Sequence, residues 1–254
     1  MDHLQRVQQE FARQASQFAT AAAVTRDDLV RRFVDAVPTG ADSVVLDVAC
    51  GPGIVTAMLA PRVRTVVAFD LTPEMLSQAR QRCAGAGLSN VTFREGSATK
   101  MPFADASFDA VVTRLSLHHF QHPAQPLAEM ARVLKRSGAL VVADVSSSEV
   151  AEESALHNAI EILRDPSHVR MLPETELLGA IEGAGLTVEH HTHWDEAREF
   201  EEWARIVDDP NRVAPLRTVV RTLARLGQHA GTGWSVADGR LVFFHRWHLI
   251  VARK

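Results

Sequence analysis

The segment at residues 44–60, VVLDVACGPGIVTAMLA, constrains the fold more strongly than any other part of the sequence. A run rich in β-branched residues leads to an acid and to a turn with two glycines, and apolar residues at helical spacing follow. This order predicts a buried strand, a tight turn and a helix. In parallel sheets built from such units, ligands bind beyond the carboxyl ends of the strands.

The rest of the chain continues the alternation of strands and helices. Further strands are predicted at residues 66–70, 91–94, 108–113, 139–145 and 186–194. Helices are predicted at 54–59, from Pro73 to Gly85 or Gly87, and at 123–135. The last segment predicts a pair of strands that turns at Asp238 and Gly239. This alternation favours parallel βαβ units, and therefore an α/β fold with a doubly wound sheet.

Composition limits the class of protein. The 254 residues are 46% hydrophobic, enough for one substantial core, so we expect one domain over residues 1–254. The net charge is −4 without a long run of either sign, which argues against a nucleic-acid partner. Two cysteines provide no disulfide framework, and no apolar run approaches the ~20 residues of a membrane span. We expect a cytoplasmic monomer or homodimer without a membrane partner.

Two kinds of cofactor fit a glycine turn between a strand and a helix. The dinucleotide fingerprint G-x-G-x-x-G has a small third residue, but Thr56 stands there, and Asp47 at the strand exit would repel a pyrophosphate. S-adenosylmethionine instead carries an ammonium and a sulfonium. Asp70, at the end of the second strand, stands where a ribose-diol acceptor belongs. These two acids favour S-adenosylmethionine over a nicotinamide dinucleotide.

The chain resembles class I S-adenosylmethionine-dependent methyltransferases, in particular the branch typified by ubiquinone and menaquinone biosynthesis enzymes. The resemblance rests on VVLDVACGPG, VVAFDLTPEML, NVTFREGSATKMPFADASFDAVVTRLSLHHF and GALVVADV, which cover roughly residues 43–145 in the family's order. It implies a Rossmann-like, mostly parallel sheet of seven strands with an antiparallel last strand. It also implies a helical N-terminal lid (1–38), a cofactor-binding core (39–145), a substrate-cap insertion (146–175) and a C-terminal part of the sheet with a helical insertion (176–254).

The resemblance further implies a set of cofactor contacts. The expected cofactor-binding residues are Asp47, Ala49, Gly51, Gly53, Asp70, Leu71, Met75, Gly96, Ser97, Ala98, Arg114, Leu115 and, on the lid, Phe18. Asp70 should accept both ribose hydroxyls, and Leu71 and Met75 should flank the adenine. The family commonly has Asp after Gly96 to accept from the adenine amino group. This chain has Ser97, so that contact is weaker or falls to the backbone of Ala98.

Two adjacent histidines are candidates for catalysis. Methyl transfer needs a general base only when the acceptor arrives protonated, and imidazole titrates near neutral pH. His118 and His119 could therefore take a proton from a phenol, an enol or an acidic carbon. The alternative is that one histidine binds a backbone group and the other packs or is solvated. Nucleic-acid base methyltransferases of this fold commonly carry an Asp/Asn-Pro-Pro-aromatic motif here, so such a substrate is not expected.

The cap segment supplies candidates for contact with the acceptor. His168 and Arg170 could hold an anionic or carbonyl-bearing substrate, and His168 is also a candidate for catalysis. The alternative for Arg170 is an ion pair with a surface acid. Trp194, at the end of a strand, is predicted to form a wall of the substrate pocket.

A histidine-rich run, EHHTHW, raises the question of a metal. Glu189, His191 and His193 share one face of a strand, but the outer two would lie ~13 Å apart. All three cannot reach one ion, and at most one adjacent pair could, with help from elsewhere. We expect no metal.

Three functions follow from these observations. The leading hypothesis is methyl transfer from S-adenosylmethionine, which becomes S-adenosylhomocysteine, to a small organic metabolite of secondary metabolism. A quinone-like, phenolic or heteroaromatic acceptor would be methylated on oxygen, nitrogen or carbon. The alternatives are an NAD-dependent oxidoreductase and a protein that binds S-adenosylmethionine without catalysis. The chain has no tyrosine, which excludes a Tyr-based short-chain dehydrogenase site.

Overall fold

The computed structural model describes residues 2–21, 25–207 and 209–254. The helices are α1 (His3–Thr20), α2 (Asp27–Asp35), α3 (Ile54–Leu59), α4 (Pro73–Gly85), α5 (Ala124–Val133), α6 (Ala151–Arg164), α7 (Glu174–Gly183), α8 (Phe200–Arg205) and α9 (Pro210–Arg225). The strands are β1 (Val44–Val48), β2 (Thr65–Asp70), β3 (Val91–Glu95), β4 (Phe108–Arg114), β5 (Leu134–Ser146), β6 (Thr187–Glu199), β7 (Ser235–Ala237) and β8 (Arg240–Arg253). None of the helices within the described ranges is long and apolar enough to cross a membrane.

All of these strands belong to one sheet. Its order is β3-β2-β1-β4-β5-β8-β6, and β7 pairs with β8 outside this path. Strands β1 to β5 are parallel, whereas β8 is antiparallel to both β5 and β6. The expected doubly wound, mostly parallel sheet with an antiparallel last strand is confirmed, and the short β7 adds an eighth strand to the seven expected. The order reverses between β1 and β4, which is where such sheets bind ligands.

Helices cover both faces of the central strands, which explains why these strands are continuous apolar runs. Successive residues of β1 point to opposite faces. Val45 packs with Phe33 of α2 and Leu59 of α3, whereas Leu46 packs with Leu127 of α5 and Ile181 of α7. The buried β1 therefore holds its last residues, and the turn that follows, in a fixed position.

The start of β5 differs from the expectation. A helix was expected through residue 135, but α5 ends at Val133, and β5 begins directly with Leu134. Leu134 pairs with Phe108 across a register shift in β4. Gly138 lies inside β5, where an added Cβ would come within 2.6 Å of the Leu134 side chain. This glycine therefore permits close packing in the strand and does not end a helix.

A second, smaller core lies where β6 ends and β8 begins. Its centre is aromatic: Trp234 stacks on Phe243 of β8, and Trp203 of α8 packs edge-on against the same ring. Ile160 of α6 belongs to the same core, together with Leu216 of α9. The helix of the expected cap insertion thus packs against segments much later in the chain. The division of the chain into lid, core and cap stays a prediction.

Candidate active site

A cavity lies at the carboxyl ends of β1, β2 and β4, beneath α1. Twelve of the expected cofactor-binding residues line it: Asp47, Ala49, Gly51, Asp70, Leu71, Met75, Gly96, Ser97, Ala98, Arg114, Leu115 and Phe18. Further lining residues were not expected from the sequence, among them Phe11 of α1, Thr99, Phe120, His122 and Gln125. The topology therefore brings together side chains that are up to about a hundred positions apart.

The glycine turn after β1 forms the floor of the cavity. Gly51 has φ +54°, and its N–H donates to Oδ2 of Asp70 at 2.8 Å. Gly53 has φ +74°, and a Cβ there would lie 2.8 Å from the Cβ of Ala79 on α4. Gly53 is absent from the cavity lining, so the structure gives it a packing role, and its expected cofactor contact stays a prediction. It allows α3 and α4 to approach each other closely.

Asp47 is a buried carboxylate that faces the cavity. Its Oδ2 accepts a hydrogen bond from Oγ1 of Thr56 at 2.5 Å. Burial raises the pKa of Asp47 to about 7, although the Thr56 hydrogen bond opposes this shift, and the charge of Asp70 adds to it. The sequence motif marks Thr56 only as a mismatch to the dinucleotide fingerprint and does not predict this hydrogen bond. Its spacing of nine residues from Asp47, across the turn into α3, was the signal for this contact.

Asp70 is the second buried carboxylate at the cavity. Its Oδ1 accepts from the N–H of Thr72 at 2.9 Å and its Oδ2 from that of Gly51. Burial raises its pKa, and these backbone donors only partly oppose that effect. At neither acid do the neighbouring groups, including Arg114 near Asp47, fully offset the cost of burying the charge. Two such acids facing one cavity fit a cationic ligand such as S-adenosylmethionine.

Two non-glycine residues at the cavity have left-handed backbone conformations. Ala49 follows β1 with φ +55°, and Leu115 follows β4 with φ +54°. A bulky residue such as leucine rarely adopts this conformation, because its Cβ crowds the backbone. The N–H of Leu115 donates to the carbonyl of Ala143 at 2.8 Å, which holds the strained turn in place. Strain of this kind clusters at functional sites.

Ser97 stands where the family commonly has an acid. Its Oγ lies 2.8 Å from Oγ1 of Thr99, and both residues line the cavity. The two hydroxyls therefore form one small polar group at the site of the expected adenine contact. A hydroxyl pair is a weaker acceptor than a carboxylate, because it carries no charge.

His118 and His119 differ sharply in environment. Nδ1 of His118 lies 2.6 Å from Oδ1 of the buried Asp144. Burial lowers the pKa of His118, but the charge and hydrogen bond of Asp144 outweigh it and raise that pKa above its usual value. His118 is absent from the cavity lining and forms this ion pair, and its expected catalytic role stays a prediction. Asp144 follows the signal of Asp47 and Asp70, an acid at a strand end.

His119 lines the cavity, and a hydrogen bond to the backbone of Ser167 holds its ring in place. Its Nδ1 lies 3.0 Å from the carbonyl oxygen of Ser167, and this bond assigns the ring proton to Nδ1. Nε2 is therefore left as an acceptor. Burial and the charge of His118 lower the pKa of His119 to about 4, so the imidazole is neutral at pH 7. Ser167 is itself fixed by Asp165, whose Oδ1 accepts from its hydroxyl at 2.6 Å.

The three candidates for substrate contact, two in the cap segment and one on β6, all lie outside the cavity lining. His168 is buried and hydrogen-bonds through Nε2 to Oδ1 of Asn158 at 3.0 Å, so it is a satisfied core histidine. Arg170 is 46% exposed and forms a two-pronged ion pair with Glu176. Trp194 stacks on Trp247 at 5.9 Å between ring centroids. The expected catalytic role of His168 and the expected substrate contacts of all three stay predictions, and the contacts seen here give each side chain another partner.

Helix α1 covers the cavity and is tied to its walls by polar contacts. Nε2 of His3 lies 2.8 Å from the carbonyl oxygen of His119, and Gln8 donates to that of Leu71 at 3.3 Å. On its inner face, Phe11 packs edge-on against Phe18 and His119. Helix α1 therefore forms one wall of the cavity, and its role as a lid stays a prediction.

Comparisons with known proteins agree with this architecture. A family model described as a methyltransferase domain matches residues 46–142. A protein from Bacillus halodurans assigned as a methyltransferase is 32% identical, with a TM-score of 0.83, and the match covers 89% of this chain and 98% of that chain. The uncharacterized methyltransferase YcgJ of Bacillus subtilis is 31% identical over 161 residues, covering 63% of this chain and 64% of YcgJ.

The demethylmenaquinone methyltransferase of Deinococcus radiodurans is 46% identical over 101 residues, which cover 39% of this chain and 41% of that enzyme. The chain thus spans about two fifths of the length of this relative. With the Bacillus halodurans protein, in contrast, sequence and fold are shared over nearly the whole length. The chain belongs to the class I S-adenosylmethionine-dependent methyltransferases.

Proposed function

We propose that this enzyme methylates a small organic acceptor with a planar ring, of the phenolic, quinone-like or heteroaromatic kind. The observation that carries the proposal is the pair Asp47 and Asp70, two buried carboxylates that face one cavity. The family supplies the reaction type. The walls of the cavity around His119 support the class of acceptor.

In this proposal, different residues of the chain bind different parts of the cofactor. Asp47 pairs with the ammonium group, and Asp70 accepts from the ribose hydroxyls through the lone pairs that Gly51 and Thr72 leave open. Arg114, whose guanidinium is influenced by the charges of Asp47 and Asp144, balances the methionine carboxylate. S-adenosylmethionine supplies, when bound, a methyl group already activated by its sulfonium.

His119 is the proposed general base. Its neutral imidazole holds a proton on Nδ1 against the Ser167 carbonyl, so Nε2 is free of a proton and can receive one from the acceptor. The transferred methyl replaces that proton on the acceptor. Asp165 stabilises the imidazolium that forms, because its charge raises the pKa of His119.

Aromatic side chains around His119 support a planar acceptor. The ring centroids of Phe11 and His119 are 4.8 Å apart in an edge-to-face arrangement, and Phe120 lines the same cavity. Such walls favour flat apolar rings and exclude water from the reacting atoms. The relatives named demethylmenaquinone methyltransferases point in the same direction, because their name specifies a quinone-type acceptor.

The test is a panel of acceptors offered with S-adenosylmethionine. The purified chain is incubated separately with a naphthoquinol, a simple phenol, an N-heteroaromatic and an aliphatic amine, and products are read by mass spectrometry. At least one ring-bearing acceptor should gain a methyl group, and His119→Ala should lose this turnover while it still binds S-adenosylhomocysteine. His190→Ala, a change at an exposed position of β6, is the matched control and should act like the wild type.

Two outcomes would contradict the proposal. Methylation of the aliphatic amine alone would refute a planar acceptor. Tight binding of S-adenosylhomocysteine without methylation of any member of the panel would favour the alternative of a binding protein without catalysis.

A further inference from the structure

Three histidines and one glutamate meet away from the methyltransferase cavity. His191 and His193 lie on β6, His248 lies on β8, and Glu174 is in the first turn of α7. One nitrogen or oxygen atom from each residue lies within 4.8 Å of those of the other three. None of the four lines the cavity, so the methyl-transfer chemistry does not account for this cluster.

The pairing of β6 with β8 brings the three histidines together. His191 and His193 are two positions apart and share a face of β6. His193 is directly opposite His248 in the antiparallel register. A register shift between Val188 and His190 precedes them, and Glu189 pairs with Arg253 at 3.1 Å. The carboxylate near these histidines is therefore Glu174 of α7.

The spacing of the ligand atoms suits a tetrahedral metal ion. Ligand atoms at 2.0–2.1 Å from a zinc ion are about 3.3 Å apart in a regular tetrahedron. Nε2 of His191 lies 2.9 Å from Nδ1 of His248. Nδ1 of His191 and Nδ1 of His193 lie 3.8 Å and 3.7 Å from the two carboxylate oxygens of Glu174. One imidazole gives only one nitrogen to an ion, so His191 would bind either through Nε2, beside His248, or through Nδ1, beside Glu174. With one atom taken from each residue, the four ligand atoms lie within 4.8 Å of one another, and a bound ion would draw them closer.

A second hydrogen bond orients the buried histidine of the cluster. Nε2 of His248 lies 2.7 Å from Oγ of Ser146, at the end of β5. If Nε2 donates to this hydroxyl, the lone pair of Nδ1 points toward His191. Metal-binding histidines usually have such a partner on the nitrogen that does not bind the metal, because it fixes the tautomer and the ring orientation.

The cluster is open to solvent on one side. The side chain of His193 is 51% exposed and that of Glu174 is 32% exposed, whereas His248 is fully buried. A hydrated ion can therefore enter at His193 and reach the inner ligand. Three imidazoles and one carboxylate, without a thiolate, are a donor set that zinc accepts.

We propose that Glu174, His191, His193 and His248 bind one zinc ion that joins the start of α7 to β6 and β8. Because β6 is the edge strand of the sheet, the ion would fasten this edge to the helix that covers it. The four side chains contribute all of the protein ligands, so the site is structural and has no part in methyl transfer. The inference is independent of the proposed function.

The experiment measures zinc binding by the full chain, purified without a histidine tag and stripped with a chelator. Isothermal titration with zinc chloride should give one site per chain, and zinc should raise the melting temperature. Cobalt chloride should produce the intense visible absorption of tetrahedral Co²⁺. His193→Ala and Glu174→Gln should each weaken zinc binding at least tenfold, whereas the exposed His190→Ala on the same strand should bind zinc like the wild type.

The choice of variants keeps the test informative. His193 and Glu174 are partly exposed, so their replacement leaves the core intact, which a change at His248 would not. Absence of a one-to-one zinc isotherm in the wild type would overturn the proposal. An equal affinity for zinc in wild type and His193→Ala, or an equal loss in His190→Ala, would overturn it as well. Activity is not a readout, so failure here leaves the methyl-transfer proposal untouched.

Discussion

Nδ1 of His118 lies 2.6 Å from Oδ1 of Asp144, and the other carboxylate oxygen of Asp144 accepts from the N–H groups of Ser116 and Leu117. One buried acid thus holds the whole turn that follows β4. Because His119 is the next residue in this turn, the position of the proposed base depends on an ion pair made by its neighbour.

This ion pair predicts a pH dependence of stability. Asp144 raises the pKa of His118 against the opposing effect of burial, so the pair's contribution is complete below the unfolded value of about 6.5 and is lost as pH rises through the folded pKa. The pKa of Asp144 is lowered in the folded state. The contribution of its carboxylate to stability is therefore lost as pH falls through that folded pKa. We therefore expect the contribution of this pair to the free energy of unfolding to decrease as pH rises above about 6.5.

Urea denaturation of wild type and His118→Gln at about pH 5.5 and pH 8.5 isolates this contribution. The comparison is needed because buried histidines with a lowered pKa, such as His119 and His168, change the total stability in the opposite direction in both proteins. His118→Gln keeps a hydrogen-bond donor for Asp144 but cannot carry a charge, so the variant should lose less stability, or gain more, than the wild type between the two pH values. An identical difference in both proteins would contradict the role of the pair.

Asp47 predicts a pH dependence of cofactor affinity. Burial raises its pKa to about 7, and only the ionised form attracts the ammonium of the cofactor. The affinity for S-adenosylhomocysteine should therefore weaken as pH falls below 7, by up to about tenfold for each pH unit. Titration calorimetry at several pH values measures this slope.

Two variants separate Asp47 from other titrating groups. Asp47→Asn should bind more weakly and without this pH dependence. Thr56→Val removes the hydrogen bond that opposes the raised pKa, so its profile should shift to higher pH. A wild-type affinity that stays constant between about pH 5.5 and 7.5 would contradict the contact between Asp47 and the ammonium.

Asp70→Ala should weaken binding of S-adenosylhomocysteine by more than about 1 kcal/mol, because a hydroxyl-to-carboxylate hydrogen bond is charge-assisted. The same change also removes acceptors from Gly51 and Thr72, so a control for turn distortion is needed. An analogue that lacks both ribose hydroxyls provides it, since wild type and variant should bind that analogue with similar affinity. An equal loss for both ligands would show that Asp70 only shapes the turn.

Ser167 predicts a positioning effect on the proposed base. Ser167→Ala keeps the backbone carbonyl that accepts from His119 but removes the hydroxyl that binds Asp165. We expect kcat to fall about tenfold, less than the roughly 100-fold or greater loss expected when a general base is removed, with an altered pH profile and unchanged cofactor affinity. Ser167→Thr, which retains a hydroxyl, should restore part of the rate. A Ser167→Ala variant with wild-type kcat and pH profile would contradict the positioning role of the Ser167 hydroxyl.

Local patterns in the sequence were sufficient to predict where the two acids of the proposed cofactor site lie. The order of strand, glycine turn and helix at residues 44–60 placed Asp47 at a strand exit, and the same pattern one strand later placed Asp70. These predictions depend on hydrogen bonds and burial within single βα units. The periodicity of the chain therefore carries the information that they need.

The acceptor end of the site depended on contacts between distant segments. His118 and His119 are neighbours, yet Asp144 raises the pKa of one, whereas burial and the adjacent charge lower that of the other. Arg170 is close in sequence to Ser167, yet it pairs with Glu176 at the surface. No local pattern distinguishes such residues, because their protonation and exposure are set by what packs against them.

The sequence by itself determined the sheet, its order of elements and the acids at the strand ends, because each follows from short-range periodicity and turn chemistry. Only the tertiary structure decided which histidine faces the cavity and which four residues form the cluster around His248. Both depend on strand register and on helices packed across it. These juxtapositions lie between segments up to about a hundred residues apart, where the physical determinant is packing and not propensity.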